Sequence, residues 1–210
     1  MKQVWAPMYS HQHLEVTEEK EIYSGRFRVL QNTLKFKMFS GRWSDTVTRF
    51  IMERKHAASI LLYNPQRDTV IMVEQMRVGA INSSLNSPWV LEPVAGLIDS
   101  EDTPEETAVR ESMEEANCKV LDLVPMHSYL VSSGISNEFC YAYCGRISHC
   151  EPGSIHGLIE ESEDIKIHEI TTQDAFDMLR EGKIVSGGAI ISLQWLQLNL
   201  VALKKMWLLK

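Results

Sequence analysis

The sequence has little cysteine, and this scarcity excludes two classes of stabilised small fold. Its 210 residues contain four cysteines, Cys118, Cys140, Cys144 and Cys150, and none of them form a Cys-x-x-Cys pair. The number is too small for a disulfide scaffold, and the spacing does not suit a structural zinc site. We therefore expect reduced thiols and a cytoplasmic location.

Low-complexity composition and excess positive charge are also absent. The 11 glycines and 7 prolines are scattered without a period, and the hydrophobic content of 44% is that of a folded chain. Lysine and arginine number 21 against 28 aspartates and glutamates, a net charge of −7. The chain thus lacks the positive field that nonspecific binding to nucleic acid or an anionic membrane requires, and we expect neither partner.

Long apolar runs are missing as well. The one candidate for a membrane span covers residues 189–203, and it is interrupted by Ser192, Gln194, Gln197 and Asn199. A spanning helix needs roughly 20 mostly apolar residues, so we expect no insertion. The first twenty residues are polar and carry no signal-peptide pattern.

The order of predicted elements indicates an α+β fold. Apolar and polar residues alternate over 34–38 and 46–53, which predicts a small antiparallel sheet within residues 20–54, after a loosely structured leader. The β-rich runs 57–63 and 69–78 flank a turn and predict a hairpin. Further strands are expected near residues 89–94, 121–132, 138–146 and 165–170, and helices over residues 104–116, 172–179 and 188–207.

These elements do not alternate regularly as βαβ units, which favours a mixed α+β sandwich. We divide the chain into a leader with a β-sheet subdomain, residues 1–55, and a main domain, residues 56–210. The last helix carries a stripe of large apolar residues at three- and four-residue steps: Leu193, Leu196, Leu200, Leu203 and Trp207. That stripe suits either a coiled-coil-like contact or, as we favour, packing on the domain's own core.

One helix has unusually clear boundaries. Thr103 is a predicted N-cap, Pro104 suits the first helical position, and Glu106 completes a capping box. Asn117 tolerates the left-handed conformation that ends helices. The sequence therefore predicts a helix over residues 104–116.

The faces of this helix differ strongly in charge. On a helical wheel, four apolar residues lie on one side and are expected to face the core: Ala108, Val109, Met113 and Ala116. Glu111, Glu114 and Glu115 share the other side, with Arg110 as the one neighbouring cation. Crowded carboxylates repel each other, and a hard divalent cation such as Mg²⁺ or Mn²⁺ would remove that repulsion. A solvated acidic surface is the alternative.

The spacing around this helix resembles the Nudix box. In that family five residues separate a glycine from a glutamate, seven more separate that glutamate from an Arg-Glu pair, and a Glu-Glu pair follows on the same helix. Here Gly96, Arg110 with Glu111, and Glu114 with Glu115 stand in register. Three positions depart from the family pattern. Asp102 replaces its glutamate, Ser112 replaces an aliphatic residue, and Asn117 replaces its closing glycine. None of these departures removes a metal-ligand position.

The resemblance extends to the ADP-ribose pyrophosphatase branch of the family, from about residue 23 to residue 207. It is carried by segments 73–79, 89–96, 156–158, 163–165 and 193–197. It implies a Nudix-type α/β/α sandwich with a mixed sheet, a small N-terminal antiparallel sheet swapped within a homodimer, and Mg²⁺-dependent hydrolysis of ADP-ribose to AMP and ribose 5-phosphate. Mn²⁺ is the expected substitute for Mg²⁺.

The resemblance also implies the metal ligands. By register these are Glu111, Glu114, Glu115 and the backbone carbonyl of Ala95, with Glu111 and Glu115 counted among the catalytic residues. A glutamate that follows a Gly/Ser-rich loop also reaches the metal and the substrate in the family, and Glu138 occupies that place here. A surface glutamate at a strand edge is the alternative for Glu138. In that loop Ile135 replaces a family glycine, which puts the backbone freedom of the loop in question.

The catalytic base is expected in an acidic loop. The family register points to Glu161, with Glu160 and Glu163 as rivals and a plain solvated loop as the alternative.

Substrate contacts are implied on both sides of the predicted domain boundary. Arg49 and Arg77 match arginines that contact substrate in this branch. Arg26 and Phe27 stand where the branch carries aromatic residues that stack on adenine from the partner chain. Because Arg26 replaces one of those aromatics, the ring of Phe27 or the guanidinium plane of Arg26 has to serve.

Two other functions stay open at this point. The altered Arg26 and Ile135 are compatible with another nucleoside diphosphate derivative, such as a nucleotide sugar or a dinucleotide. A non-catalytic ADP-ribose-binding module is the third reading, and the intact Glu111, Glu114 and Glu115 argue against it.

Overall fold

The computed structural model describes residues 5–99, 101–158 and 162–208. The chain divides into two compact units. The first contains residues 1–55 and 130–138, and the second contains residues 56–129 and 139–210.

The first unit is built on a three-stranded antiparallel sheet. Its strands, in spatial order, are β1 (Leu14–Ser24), β2 (Arg28–Phe36) and β3 (Val47–Glu53). The expectation of a loose leader is wrong for residues 14–20, which belong to β1. The sequence of β1 has no apolar period, and its backbone is ordered by the ladder to β2. Every residue of β1 is exposed.

The second unit contains eight strands and three helices among its described residues. The strands are β4 (Ala57–Asn64), β5 (Thr69–Met76), β6 (Trp89–Glu92), β7 (Val94–Leu97), β8 (Asp122–Leu130), β9 (Phe139–Arg146), β10 (Ile155–His156) and β11 (Ile165–Thr171). The helices are α1 (Pro104–Ala116), α2 (Thr172–Arg180) and α3 (Gly187–Leu208).

These strands form one mixed sheet in the order β10-β11-β5-β4-β9-β8, with β6 paired to β5 and β7 paired to β4. The β4–β5 hairpin is antiparallel, as the sequence predicts, whereas β4 and β9 run parallel. Residues 58–63 of β4 are buried throughout, so this strand is covered on both faces.

Alternate residues of β4 point into two separate cores. Ile60 and Leu62 pack in a cluster that includes Ala108 of α1. Leu61 and Tyr63 pack in a second cluster with residues of α2 and α3. Since side chains of a strand alternate between faces, α1 covers one face of the sheet and α2 and α3 cover the other. This confirms the α/β/α sandwich.

The apolar stripe of α3 belongs to this second core. Leu193, Leu196, Leu203 and Trp207 are buried in it, and Leu200 packs against it. The core-packing interpretation of the stripe is therefore confirmed. None of the described helices combines the length and the apolar character that a membrane crossing requires.

Candidate active site

The boundaries of α1 follow from its capping residues. The Glu106 N–H donates to Thr103 Oγ1 over 3.2 Å, and the Thr103 N–H donates to Glu106 Oε2 over 2.8 Å. At the other end Asn117 has φ 48°, and the Cys118 N–H donates to the Ser112 carbonyl over 2.9 Å. Both ends agree with the sequence prediction, because capping depends on residues next to each other in the chain.

The buried face of α1 differs from the predicted one. Val109 and Met113 are 39% and 46% exposed, so the expectation that both face the core is wrong. The buried residues are Thr107, Ala108, Ser112, Glu115 and Ala116. Most of these side chains are small, which lets the helix lie close to the sheet. Glu115 is carried inward with them.

Glu115 is the most deeply buried of the three glutamates. It is 4% exposed, and its Oε2 atom accepts a hydrogen bond from the Ala95 N–H over 3.1 Å. The pKa of Glu115 is raised to about 8, chiefly by burial. The charges of Glu111 and Glu163 contribute to this increase, whereas the Ala95 N–H and the charge of Arg77 oppose it. Burial disfavours the ionised form of this carboxyl group, and a bound cation would stabilise that form.

Glu111 lies directly against β7. A Cβ atom on Gly96 would come within 1.9 Å of Glu111 Oε1, so only glycine leaves room for this carboxylate. Burial also raises the pKa of Glu111. The charge of Arg110 opposes this effect, and the charges of Glu114 and Glu163 add to it.

Arg110 connects the acidic side chains of the box. Its Nη1 atom lies 2.9 Å from Glu111 Oε1 and 2.8 Å from Glu114 Oε2. Its Nε atom donates to Asp102 Oδ2 over 3.3 Å, so the shorter aspartate still reaches the helix. The sequence showed Arg110 only as a cation beside the cluster. The four-residue step from Arg110 to Glu114 is the signal that indicates the pair.

The donor set on α1 fits a hard divalent cation. Glu111, Glu114 and Glu115 supply carboxylate oxygens within two turns of one helix, and β7 brings the backbone of Ala95 to Glu115. In the part of the chain that the structure describes, no three acidic, histidine or cysteine side chains converge at ligand distance. Arg110, which bridges Glu111 and Glu114, supplies the positive charge in this arrangement.

Arg77 lies at the end of β5, within electrostatic reach of Glu115. Its Nε atom is 2.5 Å from Glu92 Oε2, and Glu92 Oε1 accepts a hydrogen bond from Ser186 Oγ over 2.7 Å. The sequence pointed to Arg77 through the family register. It gave no role to Glu92 or Ser186, which are distant from Arg77 in the chain and carry no local signal.

The acidic loop is described only in part. The predicted base Glu161 and its rival Glu160 lie outside the described residues. Glu163 is described, and its Oε2 atom accepts a hydrogen bond from the Leu158 N–H over 3.2 Å. Gly157 has φ 106°, and a Cβ there would come within 2.7 Å of Glu163 Cβ. Since the charge of Glu163 acts on Glu111 and Glu115, this residue lies beside the acidic helix.

Three predicted substrate residues belong to the sheet of the first unit. Arg26 and Phe27 lie in the turn between β1 and β2, where the Phe27 ring is 5.4 Å from that of Tyr23. Arg49 is an exposed residue of β3, and its Nη1 atom donates to the Thr48 carbonyl over 2.9 Å.

Glu138 closes the loop that the first unit contributes after β8. Its Oε2 atom forms an ion pair with Arg54 Nη1 at 3.1 Å. Ile135 does not adopt a positive φ, and its carbonyl accepts a hydrogen bond from the Met52 N–H over 2.7 Å. The replacement of a family glycine by Ile135 therefore introduces no backbone strain.

Comparison with known proteins identifies a family and several relatives to which the sequence is similar. The family model described as the NUDIX domain matches residues 53–207. The chain is 39% identical over 201 residues to the ADP-ribose pyrophosphatase of Haemophilus influenzae, covering 95% of this chain and 93% of that protein. It is 38% identical over 194 residues to the ADP-ribose pyrophosphatase of Escherichia coli, covering 92% of each. A GDP-mannose pyrophosphatase from an Enterobacter species is 30% identical over 151 residues, covering 72% of this chain and 78% of that protein.

Proposed function

Since this chain belongs to the Nudix family, we propose that it hydrolyses the diphosphate of ADP-ribose to AMP and ribose 5-phosphate. The observation that carries the proposal is the extent of its similarity to two ADP-ribose pyrophosphatases. That similarity covers 92–95% of the chain and so includes most of the first unit. The relative that is named for GDP-mannose covers only 72%.

The proposed cofactor is Mg²⁺, with Mn²⁺ as a substitute. The residues that would hold it are Glu111, Glu114, Glu115 and the carbonyl of Ala95, and the deep burial of the Glu115 carboxyl group beside Ala95 supports this assignment. When bound, such an ion neutralises phosphoryl oxygens and lowers the pKa of a bound water.

The chain's own residues supply the remaining steps. Arg77 offers a guanidinium to the diphosphate, and its ion pair with Glu92 directs it. Arg110 holds Glu111 and Glu114 on one side of the helix. Glu161 is the proposed base that takes the proton of the attacking water, and Glu163 is its strongest rival because its charge reaches the acidic helix.

The adenine end of the substrate is assigned to the first unit. We propose that Phe27 stacks on the base, with Arg26, Arg49 and Glu138 as further contacts, and that these residues serve the site of a second copy in a homodimer. The full exposure of β1 supports an additional partner for this sheet, because an isolated strand edge with exposed apolar side chains favours pairing.

A nucleotide sugar is the second candidate substrate. It is favoured by the similarity to the GDP-mannose pyrophosphatase and by Arg26 in the adenine position. The non-catalytic binding module is disfavoured, because Arg110 and Gly96 organise the acidic residues in a way that a binding module does not require.

Product analysis tests these alternatives. Purified protein is incubated with ADP-ribose, GDP-mannose and a dinucleotide, with Mg²⁺ or with a chelator. We expect AMP and ribose 5-phosphate from ADP-ribose with Mg²⁺ only. Faster turnover of GDP-mannose would favour the second candidate, and binding without turnover of any compound would favour the module.

We also propose a cytoplasmic location. The four cysteines are free thiols, three of them buried, which is typical of a reducing compartment. Cell fractionation with an antibody against the chain tests this.

A further inference from the structure

The backbone of Arg77 is fixed on both sides of its Cα atom. Its N–H donates to the Pro88 carbonyl over 2.9 Å, and its own carbonyl accepts from the Ala80 N–H over 2.9 Å. These bonds set the point from which the side chain leaves β5. They do not set the direction of the guanidinium, because a long arginine side chain has several rotamers.

Glu92 supplies that direction. Its carboxylate is mostly buried and engages the Nε atom of Arg77 at 2.5 Å. A guanidinium bound through Nε keeps its Nη1 and Nη2 groups, the paired donors that match a phosphate. Among the described residues, no other side chain pairs with Arg77.

The carboxylate of Glu92 is itself held at both oxygens. Oε2 faces Arg77, and Oε1 accepts a hydrogen bond from Ser186 Oγ over 2.7 Å. Ser186 precedes α3, and its carbonyl accepts from the Ile190 N–H over 3.0 Å. A chain of contacts thus runs from the first turn of α3 through Glu92 to Arg77.

We propose that Glu92 is a positioning residue that aims Arg77 at the substrate diphosphate and is itself held by Ser186. The inference rests on the proposed function. If Glu92 is removed, Glu115 becomes the competing anion for the Arg77 guanidinium, since the charges of Arg77 and Glu115 already interact. Glu92 therefore both orients the cation and keeps it away from the acidic helix.

A double-mutant cycle tests the proposal by steady-state kinetics with ADP-ribose. We expect Glu92→Ala to raise KM about 10-fold with kcat within about 3-fold, because the lost interaction serves ground-state binding. Glu92→Gln keeps an oxygen for Arg77 Nε and should restore most of the loss. In an Arg77→Ala background, Glu92→Ala should add less than about 2-fold, because it acts through Arg77.

The matched control is Glu74→Gln. Glu74 is next to Val73, the register partner of Glu92, and it pairs with His168 at 2.8 Å. The substitution changes a carboxylate that contacts His168 in the same sheet, and kcat/KM should stay within about 2-fold of the parent.

The proposal is overturned if Glu92→Ala leaves KM unchanged, or if its effect is undiminished in the Arg77→Ala background. If Glu92→Ala does not fold by circular dichroism, Ser186→Ala takes its place in the cycle, with an expected rise in KM of about 2- to 3-fold. If ADP-ribose is not turned over, the proposed function fails. The cycle is then read on the best substrate of the panel, or on the Kd for ADP-ribose by calorimetry if nothing is hydrolysed.

Discussion

The Cα atom of Gly96 faces the carboxylate of Glu111 so closely that a Cβ on residue 96 would lie 1.9 Å from Glu111 Oε1. Gly96 is not among the residues with positive φ, so the backbone conformation does not demand glycine here. Space demands it. The carboxylate of Glu111 can occupy this position against β7 only if the strand carries no side chain at residue 96.

We expect Gly96→Ala to separate activity from stability. The added Cβ displaces the flexible end of Glu111 rather than backbone, so the free energy of unfolding should change by no more than about 1 kcal/mol. Displacing a metal-ligand carboxylate should lower kcat/KM by about 10- to 100-fold. Gly187→Ala, which meets nothing within 4 Å, is the control for the glycine-to-alanine change and should keep full activity. Equal activity in both variants would mean that Glu111 is not needed where it lies.

Glu115→Gln should remove hydrolysis and leave the fold intact. Glutamine keeps an oxygen for the Ala95 N–H and removes a charge that burial disfavours, so the metal-free protein should not lose thermal stability. The metal-dependent rate should fall by about 10³-fold or more. Glu105→Gln, in the first turn of the same helix, is the matched control and should be active. Full activity of Glu115→Gln would instead support the interpretation of the three glutamates as a solvated acidic surface.

The loop glutamates separate a base from the metal ligands. Glu161→Gln should lower kcat by about 10²- to 10⁴-fold with little change in KM, since a base acts on the proton of the water in the transition state. Glu160→Gln and Glu163→Gln should each lose far less. If Glu163→Gln shows the large loss of kcat, the alignment that points to Glu161 is wrong within the loop, but the proposed mechanism still holds with Glu163 as the base. If all three retain activity, Glu138 is the next candidate.

Sedimentation velocity at micromolar concentration should show a dimer. The exposed apolar residues of β1, such as Val16 and Ile22, are too numerous for a strand that faces only solvent. Ile22→Lys should shift the equilibrium towards monomer, whereas Glu19→Lys on the same strand should not. A monomeric parent protein would contradict the dimer and the shared adenine site.

Asp68 should make stability depend on pH in the acid range. Its Oδ2 atom lies 2.7 Å from Lys204 Nζ, and its Oδ1 atom accepts from the Tyr63 hydroxyl over 3.0 Å. Partial burial by itself would raise the pKa of Asp68, but these hydrogen bonds outweigh it and lower the pKa below its usual range. A lowered folded-state pKa stabilises the fold above the ordinary pKa and loses this effect as pH falls through the folded value.

The measurement is urea unfolding of Asp68→Asn and its parent. At pH 7 the variant should be less stable by about 0.5–1 kcal/mol, a small value because both charged groups are partly exposed. At pH 3 the difference should shrink as the parent's carboxylate protonates. Lys204→Gln should behave in the same way, and the double variant should not add the two effects. If the difference in the free energy of unfolding does not depend on pH, the effect of the substitution comes from altered packing or hydrogen bonding and not from the charge of Asp68.

The sequence by itself determined those features that depend on neighbours in the chain. Thr103, Glu106 and Asn117 define the ends of α1 because a capping group reaches only the first or last turn. The β4–β5 hairpin follows from two β-rich runs joined by turn residues for the same reason. The residue pattern alone favoured a mixed α+β sandwich, and the α/β/α layering was implied by the resemblance to the Nudix family. The register of the three glutamates on α1 was readable at this level too.

Only the tertiary structure decided which face of α1 is buried. The helical wheel assigned Val109 and Met113 to the core. Instead, the face of α1 with small residues packs on the sheet, and Glu115 is buried on that same face. The role of Gly96 was likewise invisible, because it depends on the distance between a strand and a helix. The strand β1 was missed because its order comes from the ladder to β2 and not from its own pattern.

The contacts that organise the site join residues far apart in the chain. Ala95 meets Glu115 across 20 positions, and Ser186 meets Glu92 across 94. No local propensity encodes such pairs, since they form only when packing brings β7 against α1 and β6 near the start of α3. Sequence specifies which chemical groups are available, and packing specifies which of them meet.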